Sequence, residues 1–148
     1  METLSSFILT AITLIALISP AQAADPSDAR QPIVLTPQEY SWLLNEMRGH
    51  LDAIGAANQA MANGDMEAAR QALLARGTAR LKAPGRLGFG HKTTDAWRAM
   101  AGGMHKSYDA VAEGIANKET PQQVMGRIAG LKHNCAGCQA SYRLVAAP

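Results

Sequence analysis

The sequence predicts an all-α protein, an antiparallel four-helix bundle over residues 36–148, and three observations carry that expectation. Two segments open with the same cap-and-proline signature, Thr36-Pro37-Gln38-Glu39 and Thr120-Pro121-Gln122-Gln123. A Thr N-cap, a proline at the first helical position and a Glu or Gln two residues on satisfy the donors that a helix start leaves free. Between and after these signals, apolar residues recur at intervals of three and four rather than alternating, which is the period of a helix with one buried face. No stretch shows a convincing strand pattern.

The first 23 residues read as a leader. Phe7 to Ser19 is apolar and uncharged, and Pro20 followed by Ala21-Gln22-Ala23 suits signal peptidase, so cleavage is expected after Ala23. The apolar run is shorter than the roughly 20 residues that span a bilayer core. Export to the periplasm follows. Removing residues 1–23 from the 148 leaves 125, and because Glu2 is the sole charged side chain removed, a net charge of +2 becomes +3. That is one domain's worth of chain. The mild positive charge is scattered, with no dense basic run, which excludes nucleic acid as a partner.

Residues 24–35, with Pro26 and Pro32, read as a lead-in without regular structure. The first helix runs from the Thr36 cap to Asn63-Gly64, with Tyr40, Leu43, Leu44, Met47, Leu51 and Ile54 as its inward stripe. Asp65 caps the second, in which Ala69, Leu73 and Leu74 face inward, and which is expected to continue to Leu81 before Pro84-Gly85 stops it. Ala83 to Lys92 holds Gly85, Gly88 and Gly90 and is a loop, the one longer crossover. Without a preceding strand its glycines do not make a phosphate cradle. Thr93 or Thr94 caps the third helix, whose stripe reads Trp97, Met100, Met104, Tyr108, Val111 and Ile115. Thr120 opens the fourth.

That last helix carries the chemistry. Cys135 and Cys138 are the two cysteines of the chain, and three helical residues put them on one face about 60° apart, in line with Val124, Ile128 and Leu131 before them and with Tyr142 and Val145 beyond, on the same helix. Such a pair can hold a covalent haem, join a metal site, or close as a local disulfide or redox pair. A thioredoxin-like role is disfavoured because that motif belongs beside a βαβ unit.

The tail Cys135-Ala136-Gly137-Cys138-Gln139-Ala140-Ser141-Tyr142-Arg143 resembles the C-terminal haem signature of the class II cytochromes c, the cytochrome c′ group. That signature reads Cys-x-x-Cys-His-x-x-aromatic-Arg. Cys135, Cys138, Tyr142 and Arg143 match it, and Gln139 stands where the family has its iron-ligating histidine. The order of elements is similar too: a first helix rich in Leu and Met, a tryptophan on the third helix, a Thr-Pro break and a terminal Cys-x-x-Cys helix. The resemblance implies haem c held by Cys135 and Cys138, with Arg143, one helical turn beyond Gln139, against a propionate; the alternative for Arg143 is a cation favoured at a helix C-terminus. A glutamine amide is a poor iron donor beside imidazole. The iron is therefore expected to be high-spin and open to small ligands.

The other iron-ligand candidates are Met47, His50 and His105, on the first and third helices; the alternative is core packing for Met47 and a partly buried, hydrogen-bonded place for either histidine. Family members with a methionine ligand carry an arginine four residues ahead of it, whereas Leu43 precedes Met47 here. His133 lies about 160° from Cys135 around the helix and points elsewhere, and His91 falls in the glycine loop. What the resemblance implies is electron transfer with a redox partner protein, or binding of a diatomic gas, and a homodimer through the first two helices. The alternative is a haem-free binding or structural module whose cysteines form a disulfide or redox pair. No paired carboxylates and no Ser-His-Asp set point to an enzyme.

Overall fold

The computed structural model describes residues 27–148, so the expected leader lies outside the described residues. Four α-helices dominate: α1 (Pro37–Ala62), α2 (Met66–Leu74), α3 (Asp95–Ala116) and α4 (Pro121–Ser141). Both capping boxes form, with Thr36 accepting from the Glu39 amide and Thr120 from that of Gln123. Asp65 and Thr94 cap α2 and α3 in the same way. Asn63 ends α1, and Gly64 at φ +78° makes the turn that a side chain would strain.

The lead-in and the tail depart from the sequence expectation. Gln31–Leu35 is a strand, β1, and Tyr142–Ala146 a second, β2, and they pair in parallel with Gln31 opposite Tyr142 and Leu35 opposite Ala146. Ile33 and Leu35 face the core while Val34 points to solvent. The terminal helix therefore stops at Ser141, and neither Tyr142 nor Arg143 is helical.

The second helix also ends earlier than expected, at Leu74, and the chain continues through a 3₁₀ turn at Thr78–Lys82. Asp109 of α3 takes hydrogen bonds from the Thr78 amide (2.9 Å) and hydroxyl (2.7 Å), and so holds the chain in that turn. Gly77 lets the two approach, since a Cβ there would sit 1.7 Å from the Asp109 carboxylate.

Consecutive helices pack on one another, α1 on α2, α2 on α3 and α3 on α4. One core cluster joins Ala53, Ala57, Met61, Ala69, Leu73, Tyr108, Val111, Ala112, Ile115, Val124, Ile128 and Leu131. Fully burying a side chain such as Leu73 contributes roughly 1.5–3 kcal/mol. A second cluster gathers Ile33, Leu35, Leu43, Phe89 and Trp97 under the strand pair, with Met47, Cys138 and Tyr142 packed against it. The buried face of α1 runs through Leu43, Gly49, Ala53, Ala57 and Met61. It is rotated from the predicted stripe, and Leu51 is 63% exposed. Three of these five buried residues are Gly or Ala, which lets neighbouring elements approach α1 closely. No helix among the described residues is long and apolar enough to cross a membrane.

Candidate functional site

Between the second cluster and the middle of α1, α3 and α4 lies a cavity of about 180 Å³, partly open to solvent. Cys135 and Cys138 line it from α4 because three residues of helix leave them on one face. Gln139 lies at the same wall and is exposed. From α1 come Trp42, Glu46, Met47 and His50, and from α3 come Trp97, Met100, Met104 and His105. The loop between α2 and α3 supplies Phe89, with Arg80 and Arg86. The lining is mostly apolar with a few polar groups, the usual composition of a small-molecule site.

The polar groups are fixed in different ways. Glu46 is paired with both Arg76 (3.2 Å) and Arg80, which pins the 3₁₀ turn to α1. His105 is buried, and its Nδ1 sits 2.8 Å from the Arg76 carbonyl oxygen. His50 packs against it with ring centroids 5.0 Å apart, and lies equally close to Tyr108. The Tyr108 hydroxyl donates to the His50 carbonyl at 2.7 Å. His50 Nδ1 is buried without a hydrogen-bond partner among the described residues. Burial, and then the neighbouring His105 and Arg76, push the His50 imidazole down to about 4. It is therefore neutral at pH 7.

Both cysteines are free thiols, half-buried. Burial pushes each of them up, with Cys138 further raised by the nearby Cys135 and partly offset by a hydrogen bond from Trp97. Protonated thiols in an apolar wall are weak nucleophiles by themselves. No group of three or more His, Cys, Asp or Glu that could hold a metal ion is found among the described residues.

No protein-family model matches the chain, and no curated protein or solved structure matches it either. What the site can do therefore rests on its own residues.

Of the residues singled out in the sequence, Cys135, Cys138, Gln139, Met47, His50 and His105 meet at this one cavity. Tyr142 and Arg143 do not. They line a neighbouring, more open cleft that shares Met47, Trp97, Cys138 and Gln139 with it. Tyr142 is hydrogen-bonded to Thr94 through its hydroxyl (2.9 Å), and Arg143 lies with Nε 3.8 Å from Asp28. Arg143 is thus neither a cation at a helix end nor a residue one helical turn beyond Gln139, because β2 has replaced that turn. His133 is exposed and outside both sites, as its helical angle implies, and His91 is exposed as well. Sequence reasoning missed Phe89, Trp42, Arg80 and Arg86. Phe89 carried a signal, a large aromatic among glycines, which a loop needs only if it is tucked inward.

The donor set fits a thioether-held haem. Two thiols occupy one wall, most of the rest is apolar or aromatic, and two histidines, His50 and His105, lie within the lining. The enclosed volume is below the roughly 300–1,000 Å³ of ordinary ligand pockets. A macrocycle would use the open side and the yielding Met47, Met100 and Met104, whose unbranched thioethers repack readily.

Proposed function

We propose that this is an exported c-type haem protein of the cytochrome c′ type, an antiparallel four-helix bundle that transfers electrons or binds a diatomic gas. The observation that carries the reading is the convergence of Cys135, Cys138 and Gln139 on one apolar cavity walled by Trp42, Phe89, Trp97, Met47, Met100 and Met104. Cys135 and Cys138 would each add across a vinyl double bond of the porphyrin, sulfur to one carbon and hydrogen to the other, with nothing lost. When bound, the haem supplies a one-electron couple and an iron that can take small ligands. The chain's part is to exclude water through the aromatic wall, to place the thiols, and to supply the Arg86 cation among the lining residues. Gln139, exposed at the cavity wall, leaves the iron without the usual histidine on that helix. A redox partner protein and a homodimer through α1 and α2 belong to the same reading.

The test is an absorption spectrum of the exported protein matured in a host that attaches c-type haem. A Soret band that survives acid-acetone extraction is expected. Colourless protein with two titratable or disulfide-linked cysteines overturns the reading. A haem-free module is the second reading, and the modest enclosed volume favours it; its cysteines would then serve as buried thiols or a local disulfide.

A further inference from the structure

We infer that His105, from α3, is the side chain that ligates the iron of the proposed haem, in place of the histidine that Gln139 has displaced. The inference rests on the haem reading and adds to it the source of the axial nitrogen.

The partner of His105 Nδ1 is the Arg76 carbonyl oxygen at 2.8 Å, and a carbonyl can only accept. Nδ1 therefore carries the hydrogen, and in the neutral ring Nε2 is left as a bare lone pair. Histidines that bind metals are arranged in this way, with one ring nitrogen donating to a backbone carbonyl or carboxylate so that the tautomer and ring orientation are fixed before the metal arrives. His105 is also buried, so the ring is held and not merely tethered, and it lines the same cavity as Cys135 and Cys138.

The competitors lack one or another of these properties. His50 also lines the cavity, but nothing fixes its tautomer, because its buried Nδ1 has no partner among the described residues. Its ring lies against that of His105 at 5.0 Å, so it backs the His105 ring. Met47 packs into the aromatic cluster beneath the strands. Gln139 offers an amide, a weak donor to iron. His91 and His133 are outside the cavity. The backbone supports the assignment as well: Arg76 and its carbonyl sit just before the turn that Asp109 holds, and the Arg76 side chain is paired with Glu46, so the acceptor for His105 is itself anchored from two helices.

The experiment compares the haem-loaded parent with His105→Ala by resonance Raman and absorption spectroscopy of the ferrous form. The parent is expected to show an iron–imidazole stretch. The variant is expected to keep its thioether-bound haem, to lose that band, and to regain it on addition of free imidazole, which a merely structural role would not produce. A His105→Ala protein that retains the parent's band overturns the inference and leaves the haem reading standing. A parent without haem overturns both. Should His105→Ala fail to fold, a triple variant carrying H50Q, H91Q and H133Q leaves His105 as the sole histidine: retention of the band supports the inference, and its loss overturns it.

Discussion

The two apolar clusters use different residues for different ends. The larger is filled with Ala53, Ala57, Ala69, Ala112, Val111, Val124, Leu73 and Leu131, most of them at or near complete burial. Small side chains let the helices approach closely and leave few voids. The smaller cluster is built on Phe89, Trp97, Leu43 and the inward side of β1, flanked by Trp42, Met47 and Cys138, and it borders a cavity. Phe89 stands edge-on between Trp42 and Trp97, at 5.6 and 5.9 Å. Rigid rings brace a wall there without filling the space beside it. One end of the molecule stores stability, and the other keeps room.

Truncating one side chain in the larger cluster and one at the cavity should give the largest difference. Leu73→Ala should cost roughly 2–5 kcal/mol in urea unfolding of the haem-free protein, since it opens a void in a close-packed region. Met100→Ala, half-buried at the cavity, should cost about 1 kcal/mol or less. Equal losses would mean that the cavity wall is packed as tightly as the core. Tyr108→Phe probes the border between the two, where the lost hydroxyl bond to the His50 carbonyl should cost about 1 kcal/mol, read from the same denaturant midpoints.

Reactivity sharpens the contrast further. Burial raises both thiols above the ordinary value of 9.0, so the thiolate is disfavoured in the folded state and forms only at higher pH. Alkylation of the haem-free protein should follow a pH profile displaced upward from that of an unfolded control, and the sign for stability is the same: folding weakens as pH rises past 9 and the unfolded thiols ionise. Coincident profiles would show that the cavity wall is wet. The smallest effect expected on stability is that of Gln139→His, within about 0.5 kcal/mol for an exposed side chain. In the maturing host the same variant should take up more haem, because ligation stabilises only the folded protein. Unchanged uptake would show that the pocket, and not its ligand, limits loading.

Helix starts were legible because capping is local: Thr36, Asp65, Thr94 and Thr120 all cap through their own side chains within three residues. Helical period put Cys135 and Cys138 on one face of α4, but it could not show that Met47, His50 and His105 of other helices line the same cavity. Ends were not. The 3₁₀ turn after α2 depends on Asp109, a residue of another helix, and no window around Leu81 contains it. The strands escaped for the same reason, since Ile33-Val34-Leu35 is too short a run to declare itself and its partner lies at the far end of the chain. With β2 unseen, Tyr142 and Arg143 were placed on a helix that had already stopped.

The strand pair also sets an order in time. Its ladder closes a loop spanning nearly all of the described residues, and the entropy of closing a loop grows with its length, so local helix pairs have every kinetic advantage over it. The ladder is expected to be the last contact made on folding and the first lost, with its amides exchanging hydrogen ahead of those in α1 and α3. Until it zips, the end of α4 is held by its helix neighbours alone, without the Arg30 bond to the Gln139 carbonyl. The thiols thus pass through an interval in which their helix has formed and its cover has not, and the fastening that ends the interval comes from a strand that lies before all four helices.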